Sequence, residues 1–223
     1  MVIFLPTFAL TSKSYQQFGE KLSKTYRVFI PNLGRGKSSG KLLNSLSEYA
    51  SLLNNFVTKI KINKFYLIGI SFGGLIAVEY YQKFPSKIKG LFLTSTILVP
   101  IRSIFGLLTA YLRLFFHNLF IKNGFKINLT WLEDGLNFFI SHPGQFLMDC
   151  FIAFRNFEEG VKELKIPNIL IVGDKDEFIH GRTIEEMKEI KGLNLKIIKA
   201  NHGWLFLRPE EFLSEVENFL AKN

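Results

Sequence analysis

The sequence predicts an α/β protein in which a mostly parallel sheet of about six strands is covered by helices on both faces. Short apolar runs alternate with amphipathic stretches along the chain, which is the pattern of strands and helices in such folds. The strands are apolar enough to be buried on both faces, as in parallel sheets. The chain has 223 residues, of which 48% are hydrophobic and 21% charged. This composition excludes a disordered or collagen-like chain.

The individual elements follow from local signals. Strands are predicted at residues 2–5, 26–30, 65–70, 88–94, 168–172 and 195–200. Pro31 ends the second strand because proline cannot donate to a ladder. Ser45 and Glu48 have the spacing of a capping box, which predicts a helix from 45 to about 61. The other helices are predicted at 14–24, at 73–84, from 183 onward and at 209–220.

One stretch, residues 100–160, breaks the alternation of strands and helices. It is helical in pattern and rich in phenylalanine, so it predicts a helical insertion between the fourth and fifth strands. The remaining residues, 1–99 and 161–223, are predicted to form the core of the domain.

Charge and cysteine content restrict the partners and the compartment. Lys and Arg number 28 against 19 Asp and Glu, which gives a net charge of +9. No basic block, zinc-finger spacing or RNP motif accompanies this charge, so nucleic-acid binding is not expected. The single cysteine, Cys150, cannot form an intramolecular disulfide, and no Cys/His cluster has metal-ligand spacing. Residues 1–10 are apolar but lack the preceding basic residue and the cleavage site of a signal peptide. Residues 104–120 are shorter than the ~20 residues that a membrane-spanning helix needs. We therefore expect a cytoplasmic protein.

The segment 69–74, Gly-Ile-Ser-Phe-Gly-Gly, carries the chemistry of greatest interest. A serine on a sharp strand-to-helix turn is lifted above the sheet, where a neighbouring base can activate its hydroxyl. The alternatives are an ordinary glycine-rich junction and a dinucleotide-binding loop. The glycine spacing does not fit G-x-G-x-x-G, which disfavours the dinucleotide loop.

With this segment the chain resembles the α/β-hydrolase superfamily of serine hydrolases, whose nucleophile elbow is G-x-S-x-G. The resemblance implies that Ser71 is the nucleophile and that the backbone N–H of Phe72 is one oxyanion donor. Members with an aspartate nucleophile, such as haloalkane dehalogenases and epoxide hydrolases, are disfavoured by the serine.

A serine nucleophile of this kind needs a histidine and an acid. Of the four histidines, His202 follows the last predicted strand and precedes the last helix, the place where catalytic groups gather in parallel sheets. The family carries its histidine there. The others are His117, His142 and His180.

Three carboxylates follow the fifth predicted strand. The resemblance favours Asp176 as the acid, because relatives keep it three residues after Gly173. Asp174 and Glu177 are then expected to be solvated loop charges.

The first strand ends in Pro6-Thr7-Phe8, where many relatives have His-Gly followed by an aromatic or small residue. The resemblance implies that the backbone N–H of Phe8 is the second oxyanion donor. The strands that usually precede this loop are absent, so the sheet is predicted to lack the first strands of the family. The strand 26–30 is then expected at an open edge, which allows a monomer or a homodimer.

In the resemblance, the insertion 100–160 occupies the position of the family's lid. Its aromatic side chains are expected to pack mainly on one another, with some lining an apolar cleft above Ser71. Membrane contact is not expected. The predicted pocket residues are Phe8, Phe105, Phe139 and Trp204.

Together these features predict a hydrolase of carboxylic esters with short to medium acyl chains, or of lactones, acting through an acyl-enzyme on Ser71, Asp176 and His202. Its partner is then a small-molecule ester or lactone, with no cofactor or metal. Thioesterase and C–C bond hydrolase activity on the same residues, and a non-catalytic ligand-binding protein, stay open as alternatives.

Overall fold

A six-stranded sheet with the order β2-β1-β3-β4-β5-β6 organises the molecule. The computed structural model describes residues 1–34, 42–100, 104–121, 123–155, 161–179 and 181–223, with only the backbone at 104, 105, 107, 108, 154 and 155. All pairs of neighbouring strands run parallel, which confirms the predicted α/β fold. The strands are β1 (Val2–Leu5), β2 (Val28–Phe29), β3 (Phe65–Ile70), β4 (Ile88–Thr94), β5 (Asn168–Gly173) and β6 (Leu195–Ile198).

Most of the helices lie between strands along the chain, two follow the last strand, and 3₁₀ turns occur at Ser12–Tyr15 and Pro85–Lys87. They are α1 (Gln16–Leu22), α2 (Leu46–Lys59), α3 (Phe72–Lys83), α4 (Ile104–Leu119), α5 (Gly124–Ser141), α6 (Pro143–Arg155), α7 (Arg182–Lys188), α8 (Trp204–Leu207) and α9 (Pro209–Lys222). The side chain of Ser45 caps α2 by accepting from the backbone N–H of Glu48 at 3.2 Å, as its sequence spacing predicts.

The sheet separates two apolar cores because successive side chains of a strand point to opposite faces. In β1, Ile3 and Leu5 join the core beneath α2 and α3, whereas Val2 and Phe4 join the core beneath α1 and α9. All four side chains are at most 1% exposed. Both faces of the sheet are therefore covered, which explains why its strands are apolar without alternation.

Strand β2 lies at the edge of the sheet, but it is shorter than the predicted 26–30. Only Val28 and Phe29 pair with β1. The backbone N–H of Tyr26 donates instead to the carbonyl of Leu22 at 2.9 Å, so this part of the chain still belongs to the end of α1.

Three helices, α4, α5 and α6, fill the chain between β4 and β5. Most of the exposed large apolar side chains of the described residues lie on them, including Ile140 at 73% and Leu147 at 63% exposed. Asp134 of α5 ties them to the core by accepting hydrogen bonds from the backbone N–H and hydroxyl of Thr11 and from the hydroxyl of Ser14. Within the described ranges, none of the helices combines the length and apolar character that crossing a membrane requires.

Candidate functional site

Ser71 lies on a strained turn between β3 and α3. Its backbone has φ 50° and ψ −114°, a region that residues with a side chain rarely adopt. Close packing holds the turn in place: a Cβ on Gly73 would lie 2.2 Å from the carbonyl oxygen of Leu5. The backbone N–H of Ser71 also donates to the carbonyl of Thr94 on β4 at 2.9 Å. The glycines thus let α3 start directly over the strand and leave Ser71 above the carboxyl edge of the sheet.

His202 follows β6, and Asp176 follows β5. Nδ1 of His202 lies 2.9 Å from each carboxylate oxygen of Asp176. Asp176 is 2% exposed, and its Oδ1 also accepts from the backbone N–H groups of Phe178 and Ile179 at 2.9 and 3.0 Å. These bonds fix the orientation of the carboxyl group, so that both of its oxygens face Nδ1 of the imidazole.

The backbone of His202 is held on both sides. Its N–H donates to Oε2 of Glu177 at 3.1 Å, and its carbonyl accepts from Oγ of Ser95 at 3.0 Å. The ring of Phe178 lies against the imidazole, with 4.4 Å between ring centroids. The loop after β6 is therefore fixed by side chains that follow β4 and β5.

Glu177 is a correction to the sequence-based expectation of a solvated charge. Its side chain is only 5% exposed, and its Oε1 lies 2.8 Å from Nδ1 of His117 on α4. Asp174, in contrast, is exposed, although its Oδ1 accepts from the backbone N–H of Ala200. The two acids differ because Glu177 faces the inserted helices, whereas Asp174 faces the solvent beside β6.

A second link joins α4 to the histidine loop. Asn201 donates through Nδ2 to Oδ1 of the fully buried Asn118 at 3.0 Å, and Asn118 donates to Asn128 on α5 at 3.0 Å. Together the two links hold α4 against the loop after β5, which carries Asp176, and the loop after β6, which carries His202.

Two cavities meet at this edge of the sheet. The first, here the serine cavity, has a volume of about 90 Å³ and is lined by Ser71, Phe72, Cys150 and Ala153 among others. The second, here the distal cavity, has a volume of about 370 Å³ and lies beneath α4 and α5. The side chains that line both are Phe8, Tyr111 and His202.

Phe8 and Phe72, whose backbone N–H groups are predicted as oxyanion donors, both line the serine cavity. Phe72 is the first residue of α3, so no carbonyl within the helix accepts its N–H. Phe8 follows β1 and precedes Ala9, whose φ is 59°. The rings of Phe8 and Phe72 pack edge to face at 6.4 Å, which keeps the two residues adjacent.

The four residues predicted to line the pocket differ in where the structure places them. Phe8 lines both cavities, as described. Trp204 lines neither, contrary to expectation: it is 1% exposed, and its Nε1 donates to Oγ1 of Thr94 at 2.8 Å within the core. Phe139 also lies outside both cavities and packs on Phe146, which in turn contacts Phe8. The side chain of Phe105 lies outside the described part of the chain, as does His180.

Sequence reasoning missed several residues of this site. Tyr111 and Cys150 come from the inserted helices, and no local pattern distinguishes them from their apolar neighbours. Burial, followed by the nearby Asp149, raises the pKa of the Cys150 thiol. For Phe178 the sequence does carry a signal, because a residue only two positions after the candidate acid is expected near the site.

Comparisons with known proteins agree with this architecture. A family model described as the alpha/beta hydrolase fold matches residues 1–120. A 2-succinyl-6-hydroxy-2,4-cyclohexadiene-1-carboxylate synthase from Citrobacter koseri is 30% identical over 77 residues, which cover 34% of this chain and 31% of that protein. The chain thus spans about a third of the length of this curated relative.

Solved structures match over nearly the whole chain. An esterase from Exiguobacterium antarcticum superimposes with a TM-score of 0.80 at 16% identity, covering 99% of this chain and 91% of that one. A meta-cleavage product hydrolase from Pseudomonas fluorescens has a TM-score of 0.76 at 16% identity, covering 99% and 90%. At these identities the likeness is one of fold.

Proposed function

Because this chain belongs to the alpha/beta hydrolase family, we propose that it is a serine hydrolase that cleaves carboxylic esters of short to medium acyl chains, or lactones, through an acyl-enzyme. The observation that carries the proposal is the shared cavity of Ser71 and His202. The imidazole there is bonded through Nδ1 to Asp176, so its Nε2 is left to accept a proton.

The residues supply each step of acyl transfer. Nε2 of His202 takes the hydroxyl proton of Ser71 as Oγ attacks the ester carbonyl, and Asp176 stabilises the imidazolium that forms. The backbone N–H groups of Phe8 and Phe72 stabilise the oxyanion. The imidazolium then gives its proton to the leaving alcohol, and a water molecule activated by His202 hydrolyses the acyl-enzyme.

The lining of both cavities favours an uncharged substrate. Among the described residues, neither cavity is lined by a lysine or an arginine. A carboxylate in such surroundings is disfavoured because no cationic side chain compensates for its lost hydration. A neutral ester or lactone fits, and the serine cavity of about 90 Å³ limits the size of the group beside Ser71.

The three inserted helices act in this proposal as a lid over the site. The proposed lid comprises residues 100–160, and the hydrolase core comprises 1–99 and 161–223. Support comes from α4, whose His117 and Asn118 bond to the two loops that carry Asp176 and His202.

Hydrolysis of p-nitrophenyl esters from acetate to palmitate tests the proposal. We expect turnover to be greatest for short chains, and we expect Ser71→Ala to lower it by about 10⁴-fold or more. Ser51→Ala is the matched control, since that hydroxyl lies on α2 and donates to the carbonyl of Ser47. A fluorophosphonate should label Ser71 in the native chain and in the control. Absence of both turnover and labelling would refute the proposed hydrolysis and leave the non-catalytic ligand-binding alternative.

A further inference from the structure

The distal cavity is the feature that the proposed chemistry leaves unused. Its volume, about 370 Å³, is four times that of the serine cavity and falls within the range of small-molecule sites. Its lining is mainly apolar. The polar groups are those of Thr7, Asn128, His202, Tyr111 and Trp131; the side chain of Asn128 is already bonded to Asn118 and to the carbonyl of Phe115. It therefore suits a bulky, uncharged, apolar group.

The two cavities differ in their access to the nucleophile. Ser71 lines the serine cavity but not the distal one, whereas His202 lines both. An acyl group bonded to Oγ of Ser71 stays beside the serine, in the smaller space. The leaving oxygen takes its proton from His202, so the group attached to that oxygen can extend past the imidazole into the distal cavity.

The distal cavity also reaches the outer surface of the protein. Leu112, Phe115 and Leu132 line it and are 53%, 43% and 53% exposed. An alcohol released into this cavity can thus leave past these half-exposed apolar side chains, without passing through the serine cavity.

From this geometry we propose that the preferred substrates are esters of a small acyl group with a bulky, uncharged, apolar alcohol, and that the distal cavity binds the alcohol. Phe8 and Tyr111, which line both cavities, separate the two groups. The inference rests on the proposed ester hydrolysis and adds which side of the ester is large.

A pair of isomeric esters tests the assignment. In 2-(2-naphthyl)ethyl acetate the naphthyl group is on the alcohol, and in methyl 3-(2-naphthyl)propanoate it is on the acid. Both are esters of unhindered primary alkyl groups, so their intrinsic reactivities are similar. We expect kcat/KM to be at least about tenfold higher for the acetate, because only its naphthyl group extends toward the larger of the two apolar cavities. Preference for the propanoate would overturn the assignment.

Variants of α5 locate the effect. Leu132→Trp adds bulk to the lining of the distal cavity and should lower kcat/KM for the naphthylethyl acetate by about tenfold, while ethyl acetate changes less than about twofold. Leu136→Trp is the matched control, since Leu136 lies one turn along α5, is similarly exposed at 49% and does not line the cavity. Equal effects of the two substitutions would overturn the proposal.

Ala153→Leu provides the reverse comparison. Ala153 lines the serine cavity alone, so its enlargement should lower turnover of ethyl butyrate relative to ethyl acetate and leave the preference for naphthylethyl over ethyl acetate unchanged. A loss of the naphthyl preference in this variant would contradict the separation of the two cavities.

A binding measurement separates this inference from the proposed function. Equilibrium dialysis of 2-(2-naphthyl)ethanol against the Ser71→Ala chain should show binding that Leu132→Trp weakens about tenfold and Leu136→Trp leaves unchanged. Ester turnover without such binding refutes the inference alone. Leu132-dependent binding without turnover or fluorophosphonate labelling refutes the proposed hydrolysis and supports the distal cavity as the site for the apolar group.

Discussion

Removal of the Glu177 carboxylate should impair the site without removing any group that takes part in bond making. Glu177 accepts the backbone N–H of His202 at 3.1 Å and pairs with His117 at 2.8 Å. In Glu177→Ala the His202 N–H loses its acceptor, and the loop that presents the imidazole loses one of its two backbone anchors. Glu177→Gln keeps an oxygen that can accept the same bond.

The structure sets the size of the effect. An unpaired buried N–H costs about 1–3 kcal/mol, and each 1.4 kcal/mol corresponds to a factor of ten. For Glu177→Ala we expect a fall of about 2 kcal/mol in the free energy of unfolding and about tenfold in kcat/KM, mainly through kcat. The contact with His117 contributes less, because the side chain of His117 is 40% exposed to solvent. His117→Ala should therefore cost less than about 1 kcal/mol.

The assay is hydrolysis of p-nitrophenyl acetate well below the unfolding temperature, with urea denaturation as the measure of stability. Under these conditions all variants are folded, so a lower kcat reports the position of His202. Glu177→Gln should keep kcat within about threefold of the native chain, since it retains the acceptor. The reasoning is refuted if Glu177→Ala has native kcat, or if Glu177→Gln loses as much as the alanine variant.

Two further predictions concern the inserted helices. Since the pKa of Cys150 is raised, its alkylation by iodoacetamide at pH 7 should be slower than that of glutathione, and the rate should increase about tenfold per pH unit up to the raised pKa. Mass spectrometry measures the rate. A rate equal to that of glutathione at pH 7 would contradict the burial of the thiol. Asp134→Ala should lower the free energy of unfolding by about 2–3 kcal/mol. Asp134 is only 4% exposed, and the substitution removes the three hydrogen bonds that its carboxylate accepts. The adjacent Glu133→Ala is its control and should cost much less, because its pair with Lys13 is exposed. Equal losses of the two variants in urea denaturation would refute this distinction.

The sequence predicted the strands best where an apolar run is bounded by polar or turn residues. The bounds of β1, β3 and β4 agree with the predicted 2–5, 65–70 and 88–94. The second strand was predicted too long, because local composition does not show that Tyr26 bonds back to Leu22. Helix α8 was missed since four residues are too few for a periodic pattern.

The candidate site could be predicted as far as it depends on strand ends. Ser71, Asp176 and His202 each follow a strand of a parallel sheet, so their approach follows from the topology. The burial of Glu177 could not be predicted, because it depends on His117, which is sixty residues away along the chain. Trp204 was misplaced for a similar reason: its neighbour His202 faces the cavity, but the indole turns into the core to reach Thr94.

The origin of the cavity walls bears on how the protein can be redesigned. The serine, the acid and the histidine all stand on loops of the sheet, whereas Leu112, Leu132 and Ala153 stand on the three inserted helices. A mutational library restricted to such wall positions can therefore vary the accepted molecule while leaving the proposed catalytic residues unchanged. Positions 117 and 118 are the exception. They lie on the same helix as Leu112 but bond to the loops that carry Asp176 and His202. Substitutions at these two positions are therefore expected to lower the rate as well as to change the selectivity.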